Sequence, residues 1–338
     1  MTAAATSRKV MLSAITPSSH PTLGNYIGAI MNWVKLQNEY ECIFIAADLH
    51  AITVRQDPVE LRDRTLRSIA LYIASGLDPE KVTLCVQSHV PQHAELAWVL
   101  NCFTYMGELN RMTQFKDKST RQGQNIPAGL FNYPVLMASD ILLYQSNLVP
   151  VGEDQKQHIE LTRDIAIRMN NLYGKDTFVV PEVYIPPIGA RIMSLQNPEI
   201  KMSKSDEDPN ASVFLGDPND VIIKKIKRAV TDSGSEITFD DSKPGVKNLL
   251  TIQAALTGKA IPDIVASYAG KMYGHLKVET AELVAQTIGP IRDKADKLLG
   301  DRTYLNSILK KGAEKAAVRA EATVKRVYDR VGFIPKLS

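Results

Sequence analysis

Four short runs of the chain are apolar at nearly every position, and each predicts a buried β-strand. They cover residues 10–15, 42–47, 82–87 and 148–151. Strands without a polar face are typical of a parallel sheet covered by helices on both sides. Helical patterns lie between them, and the clearest begins with the capping pair Asp57-Pro58 and ends at Gly76. This alternation predicts a doubly wound α/β domain that binds its ligand beyond the carboxyl ends of the strands.

The strand signal fades beyond about residue 212, and helical periodicity replaces it. Helical patterns cover residues 217–230, 244–256, 261–268, 280–298 and 304–331. A polar stretch, 203–216, separates these patterns from the strand-rich part. We therefore expect an α/β domain over residues 1–212 and a second, all-helical domain over residues 213–311.

Composition excludes several classes of protein. The 338 residues are 44% hydrophobic and 23% charged, which is typical of a globular chain with sizeable cores. A net charge of +3 neither indicates nor excludes a nucleic-acid partner. The three widely spaced cysteines offer no disulfide framework and no Cys-x-x-Cys metal motif. No apolar run approaches the ~18 residues of a membrane span, so we expect a soluble cytoplasmic protein without a membrane partner.

Two segments have the composition of nucleotide-binding loops, although the chain has neither a P-loop nor a G-x-G-x-x-G motif. The first, residues 16–25, follows the first strand and includes Gly24, where the backbone can approach a ligand closely. The second is Lys201-Met202-Ser203-Lys204-Ser205, whose two ammonium groups suit a loop that folds over a polyphosphate. Taken separately, an ordinary strand-to-helix loop and a solvated surface loop are the plainer interpretations.

Together and in this order, the two segments resemble the paired signatures of class I aminoacyl-tRNA synthetases. Residues 22–25 (Thr-Leu-Gly-Asn) take the place of the first signature, with Thr22 and Asn25 in place of its histidines. This form is similar to that of bacterial-type tryptophanyl-tRNA synthetases. Six further segments resemble the same family: residues 47–53, 112–119, 137–144, 149–158, 189–195 and 229–233. The resemblance implies a Rossmann-like fold for the first domain.

The resemblance also implies a reaction. The enzyme would activate L-tryptophan with ATP, release pyrophosphate, and transfer tryptophan to the 3′ end of tRNA(Trp). The attacking carboxylate is already ionised at pH 7, so the chemistry needs alignment and charge stabilisation rather than a general base. The resemblance assigns charge stabilisation to Lys118, Lys201 and Lys204, together with Mg²⁺ carried by the nucleotide. It implies no organic cofactor, no zinc and no metal ligand among the protein side chains. The remaining ATP-binding positions that it implies are Thr16, Pro17, Ser18, Gly24, Asn25, Gly152, Glu153, Asp154, Ile192, Met202, Ser203 and Ser205.

Asp140 is the candidate specificity residue. It lies in a strongly apolar helical pattern, where an unpaired charge is costly. From the residues alone, an exposed carboxylate or a buried one paired with Arg or Lys is the better explanation. The resemblance implies instead that Asp140 accepts the indole N–H of tryptophan, a group that only donates. The other expected tryptophan-binding residues are Leu12, His50, Tyr133, Met137, Val149, Val151 and Gln155.

The resemblance also bears on the partners of the chain. The family resemblance implies a homodimer and an anticodon-binding role for residues 213–311. The apolar-rich stretch 95–106 indicates core packing first and part of the dimer interface second. A C-terminal helix over 312–338 is expected to pack back on the first domain.

Cys85, His89 and His93 could suggest zinc, but Pro91 interrupts the spacing and no fourth ligand is evident. The alternatives are a tyrosyl-tRNA synthetase, a nucleotidylyltransferase and a catalytically silent paralogue that binds RNA.

Overall fold

The strands of the first half pair into one parallel sheet. The computed structural model describes residues 8–122, 125–152, 155–185, 191–204 and 206–335, with the backbone alone described at 117, 118 and 120–122. The strands are β1 (Val10–Ile15), β2 (Glu41–Ala46), β3 (Thr83–Val86), β4 (Leu148–Pro150) and β5 (Glu182–Tyr184). Their order is β3-β2-β1-β4-β5, and all neighbouring pairs are parallel. The chain thus builds outward from β1 in both directions, which confirms the doubly wound, Rossmann-like fold.

Helices account for most of the remaining described chain. Those in the first half are α1 (Leu23–Asn25), α2 (Met31–Leu36), α3 (Asp48–Ala51), α4 (Pro58–Ala74), α5 (Gln92–Cys102), α6 (Met106–Asn110), α7 (Thr113–Gln122), α8 (Ala128–Leu143) and α9 (Lys156–Tyr173). Those that follow are α10 (Asn219–Lys227), α11 (Pro244–Thr257), α12 (Ile261–Ser267), α13 (Tyr273–Gly300) and α14 (Arg302–Val331). A π-helical turn, Tyr26–Ile30, joins α1 to α2, and a 3-10 turn, Gln87–His89, follows β3.

Side chains alternate between the two faces of the sheet. Met11 and Phe44 belong to one hydrophobic core, whereas Leu12 and Ile43 belong to the other. The first core includes residues of α2 and α4 and continues into helices α10–α13. The second includes residues of α5, α8, α9 and α14. Because both faces are covered, strands β1 to β4 are apolar at nearly every position, and this allowed their prediction.

The helical region follows the predicted patterns with changes at the element ends. Helices α11 and α12 closely match the predicted ranges, but α13 begins at Tyr273 rather than at residue 280. Its first turns have few buried apolar residues, chiefly Tyr273 and Leu276, so the periodic signal there is weak. Within the described ranges, no single helix is long and apolar enough to span a membrane, and α11 and α12 reach that threshold only as a pair bent by 111°.

The last helix lies against the sheet. Helix α14 begins at Arg302 and is capped by Asp301, whose side chain accepts a hydrogen bond from the backbone N–H of Tyr304 across 2.9 Å. At Gly312 the helix approaches β3 so closely that an added Cβ would lie 1.8 Å from the carbonyl oxygen of Leu84. Further along, Nη2 of Arg319 donates to Oε1 of Glu41 across 2.6 Å. The boundaries of the predicted domains, and their separate roles, remain predictions.

Candidate active site

Several polar side chains lie where strands of the sheet end. Helix α3 follows β2 directly and carries His50, and Gln87 follows β3. Both side chains bond to Asp140, which lies near the end of helix α8. Because the carboxyl ends of parallel strands share one edge of a sheet, residues far apart in the sequence meet here.

Asp140 is buried, and one of its two carboxylate oxygens accepts two hydrogen bonds. Its Oδ1 atom accepts from Nε2 of Gln87 and from Nδ1 of His93, each across 2.7 Å. Its Oδ2 atom accepts from Nε2 of His50 across 2.8 Å. Only 3% of the residue is exposed. Burial by itself raises the pKa of Asp140, but interactions with His50 and His93 outweigh burial and hold the pKa at about 2.

A second layer of hydrogen bonds fixes His93. The Nε2 atom of its ring lies 2.8 Å from the hydroxyl of Tyr144, and its carbonyl accepts from the hydroxyl of Ser139 across 2.7 Å. An ionised carboxylate only accepts, so Nδ1 of His93 carries the hydrogen that it donates to Asp140. Burial raises the pKa of Tyr144, which keeps its hydroxyl protonated. Asp140 therefore rests on a rigid buried network.

Sequence reasoning missed part of this network. Asp140 pairs with two histidines and a glutamine, not with the Arg or Lys that was the alternative. His93 was considered only as a possible zinc ligand, and Gln87 was not considered at all. The available signal for Gln87 was its position at the end of a predicted strand. Among the described residues, no group of three or more His, Cys, Asp or Glu could hold a metal ion.

Four other predicted tryptophan-binding residues belong to helix α8 or to the hydrophobic core that includes it. Tyr133 and Met137 precede Asp140 by seven and three positions on α8, and hence share its helix face. The Tyr133 ring lies 6.2 Å from that of His50, edge to face, and its hydroxyl lies 2.9 Å from Nε2 of His158. Leu12 and Val149 are buried on the neighbouring strands β1 and β4, within the same core as α8.

Two predicted residues lie at the end of β4. Val151 is half-buried against the second core. Gln155 is also half-buried, and its backbone N–H donates to the carbonyl of Gly152 across 3.0 Å. Glu153 and Asp154, which the resemblance places near the ribose and adenine, lie outside the described residues.

The loop after β1 leads into a reciprocal helix cap. The N–H of Asn25 donates to Oγ1 of Thr22, and the N–H of Thr22 donates to Oδ1 of Asn25, across 3.3 and 3.0 Å. This cap begins α1 at Leu23, within the segment 16–25 that follows the first strand. Asn25 therefore uses its side-chain oxygen to shape the loop.

The two signature segments are in contact. A Cβ at Gly24 would lie 3.7 Å from the Cβ atoms of both Ile192 and Met202, an ordinary van der Waals distance. Residues 192–194 and 200–202 form a hairpin that two backbone hydrogen bonds hold together. The N–H of Met202 donates to the carbonyl of Ile192, and the N–H of Ser194 donates to the carbonyl of Ile200. These bonds are 3.0 and 2.9 Å long. We call residues 192–204 the lysine hairpin.

The lysine hairpin also reaches the end of β1 through Lys204. Its Nζ donates to the carbonyl of Thr16 across 2.9 Å, and burial lowers the pKa of Lys204 to about 8. The carbonyl of Ser203 accepts from the hydroxyl of Ser212 across 2.9 Å, and Lys201 is exposed. The structure thus brings together the first loop and the lysine hairpin.

The structure describes some of the remaining predicted ATP-binding residues in full, one by its backbone alone and one not at all. Pro17 is buried, and Ser18 is exposed with its carbonyl bonded to Nη1 of Arg64 across 3.1 Å. Lys118 lies on helix α7, and its side chain is outside the described part. Ser205 is also outside the described residues.

Comparison with known proteins places this geometry in a family. Residues 5–288 match the family described as tRNA synthetases class I (W and Y). The tryptophan–tRNA ligase of Clostridium tetani is 55% identical over 327 residues, which are 97% of this chain and 96% of that protein.

Solved structures of tryptophanyl-tRNA synthetases are also similar to this chain. Tryptophanyl-tRNA synthetase from Mycoplasma pneumoniae has a TM-score of 0.89 at 36% identity and covers 97% of this chain and 98% of its own. The enzyme from Campylobacter jejuni, complexed with ADP and tryptophan, has a TM-score of 0.81 at 34% identity and covers 96% and 100%. These matches confirm the resemblance found in the sequence. The chain belongs to the class I tRNA synthetases of tryptophan and tyrosine.

Proposed function

We infer that the chain is a tryptophan–tRNA ligase. It activates L-tryptophan with ATP to tryptophanyl-adenylate and pyrophosphate, and then transfers tryptophan to the 3′ end of tRNA(Trp). Support comes from the 55% identity to a tryptophan–tRNA ligase over nearly the full length of both chains. The structural observation that carries the proposal is the buried Asp140, ionised and held by three donors at the edge of the sheet.

Asp140 selects tryptophan through its Oδ2 atom. Each carboxylate oxygen has about two lone-pair directions. Among the described residues, Oδ1 already accepts from two buried donors, whereas Oδ2 accepts from His50 alone, whose side chain is 12% exposed. An indole N–H therefore finds its acceptor at Oδ2. Phenylalanine leaves that oxygen unpaired, a defect that can cost a factor of ~10⁴–10⁵ in selectivity.

The shape of the pocket rejects tyrosine. Tyr133 and Met137 share the helix face of Asp140, and Val151 lies at the end of β4. Together with Leu12, Val149 and Gln155, these side chains form the proposed walls. The rival tyrosyl-tRNA synthetase needs partners that both donate to and accept from a phenol, whereas an ionised Asp140 only accepts.

ATP lies between the first loop and the lysine hairpin. The α-carboxylate of tryptophan attacks the α-phosphorus, the bond to the bridging oxygen breaks, and pyrophosphate leaves with the negative charge. Lys201, Lys204 and Lys118 stabilise that charge, together with Mg²⁺ that the nucleotide brings. The Lys204 ammonium supports this role because its partner, the Thr16 carbonyl, is neutral and leaves its charge available to a phosphate.

The rest of the nucleotide contacts the neighbouring segments. Residues 152–154 bind the ribose and adenine, and Ile192 and Met202 lie beside the base. The contact of both hairpin residues with Gly24 supports this arrangement.

The helical region and a second copy of the chain complete the proposed enzyme, which acts in the cytoplasm. Residues 213–311 bind the anticodon region of tRNA(Trp). A homodimer presents the tRNA across both subunits. Support for a dimer comes from helices α5 and α6, where Trp98, Tyr105 and Met106 are 71%, 62% and 66% exposed. Large apolar side chains at such exposure are typical of a protein interface.

Pyrophosphate exchange into ATP, with each amino acid in turn, tests the proposal. We expect exchange with tryptophan alone. Exchange with tyrosine would favour the tyrosyl enzyme. Exchange with none of the amino acids would leave the nucleotidylyltransferase and the silent paralogue.

A further inference from the structure

The side-chain amide of Asn248 makes two hydrogen bonds to the backbone of Met193. Its Nδ2 atom donates to the carbonyl of Met193 across 3.0 Å, and its Oδ1 atom accepts from the N–H of the same residue across 2.9 Å. Asn248 lies on helix α11 and is only 4% exposed. One side-chain amide thus supplies both hydrogen bonds that a neighbouring β-strand would make to this residue.

Met193 is the partner of Lys201 in the lysine hairpin. The two residues form an antiparallel bridge, and the flanking bonds join Ser194 to Ile200 and Met202 to Ile192. The N–H and carbonyl of Met193 consequently point away from Lys201, toward the outer edge of the hairpin. Asn248 lies at that edge and hydrogen-bonds to both groups.

One face of the hairpin lies against the first loop. Ile192 and Met202 approach Gly24, and Lys204 bonds to Thr16. The hairpin is therefore held between α11 and the loop after β1.

We propose that Asn248 is a positioning residue for ATP activation, acting through Met193 to fix the strand opposite Lys201. It does not touch the nucleotide. Without it, the N–H and carbonyl of Met193 lose the partner that the described residues supply, and Lys201 samples positions away from the leaving pyrophosphate. The turn of the hairpin stays in place because the N–H of Leu195 donates to the carbonyl of Ala211, and that of Val230 to the carbonyl of Leu195, across 2.8 and 2.7 Å. The proposal rests on the ATP-binding role of the lysine hairpin inferred above.

The same helix offers a matched control. Gln253 also lies on α11, is 7% exposed and carries an amide. Its Nε2 atom donates to Tyr268 and Thr280 across 2.7 and 2.8 Å, and these bonds lie within the helical region. Gln253→Ala therefore disturbs the helical region without removing a bond to the hairpin.

The test compares exchange kinetics of full-length Asn248→Ala, Asn248→Leu and Gln253→Ala. Leucine keeps the buried volume of Asn248 and removes both hydrogen bonds, so it guards against a folding defect in the alanine variant. We expect KM for ATP to rise on the order of tenfold and kcat to fall in both Asn248 variants, because alignment of the phosphates is lost. KM for tryptophan stays within about twofold of the wild-type value, since Asn248 bonds to Met193 whereas Asp140 is held by His50, Gln87 and His93.

Two results would overturn the proposal. One is a wild-type KM for ATP in Asn248→Leu, and the other is an equal rise in Gln253→Ala. Should the wild-type chain exchange no amino acid, the ligase function would be wrong, but the rise in melting temperature caused by Mg·ATP would still test Asn248. That rise should be smaller in Asn248→Leu than in Gln253→Ala, and equal rises would refute the positioning role.

Discussion

His93 and Asp140 are joined by a buried hydrogen bond of 2.7 Å, which ties helix α5 to helix α8 beneath the proposed indole-binding oxygen. The other ring nitrogen of His93 lies against the hydroxyl of Tyr144. The carboxylate is therefore oriented from its inner side, leaving the oxygen near His50 to meet the substrate.

His93→Leu should weaken both stability and tryptophan binding. The substitution removes a donor to Oδ1 and the partner of Tyr144 while roughly keeping the volume, and breaking a buried pair in this way costs about 3 kcal/mol. Urea denaturation measures the free energy of unfolding, and exchange kinetics measure KM. We expect KM for tryptophan to rise while KM for ATP stays unchanged. A variant as stable and as selective as the wild type would show that His93 does not support the carboxylate.

The stability of the chain should depend on pH through Asp140. Its pKa falls from an ordinary 3.8 to about 2 in the folded chain, so the folded state favours the ionised form. This contribution, about 2 kcal/mol, is fully present above the unfolded pKa and is lost as pH falls toward 2. Urea denaturation between pH 5 and pH 2 should therefore show a weaker pH dependence in Asp140→Asn. Parallel curves for the two proteins would contradict the assigned ionisation.

Use of ATP should decline above pH 8 through Lys204. Burial lowers the pKa of this ammonium to about 8, so the free enzyme loses a positive charge as pH rises past that value. We expect kcat/KM for ATP to fall by up to about tenfold per pH unit there, since kcat/KM reports groups of the free enzyme. Lys204→Arg is the control because guanidinium stays charged. An identical decline in the arginine variant would assign the titration to another group.

Gly312→Ala should separate helix α14 from the sheet. The added methyl group would lie 1.8 Å from the carbonyl oxygen of Leu84, so backbone must move. Such overpacking costs about 3 kcal/mol, measured by urea denaturation. Gly300→Ala is the matched control, because no atom lies within 4 Å of its added Cβ. Equal stability of the two variants would show that the close approach to β3 contributes nothing.

Local signals predicted much of the fold. Strand β1 has the predicted bounds, and β2 lies one residue earlier than predicted. Both were predictable because a strand covered on both faces is apolar at nearly every position. Strand β5 (Glu182–Tyr184) was missed, since three residues at the edge of a sheet, partly exposed, carry no periodic signal.

The site was predictable only in part. Asp140 and the lysines were proposed because motifs carry them, whereas Gln87 and Asn248 bond to partners 53 and 55 positions away. Hydrogen-bond partners at such separations are set by tertiary packing, which no local pattern encodes.

The central claim is that Asp140 recognises the indole N–H. The most direct test is the ratio of kcat/KM for tryptophan to that for its analogue with sulfur in place of the indole N–H, by pyrophosphate exchange. The account predicts a ratio on the order of 10⁴ in the wild type and one within about tenfold of unity in Asp140→Ala, because the alanine offers no acceptor to leave unpaired. The same ratio in both proteins would contradict it.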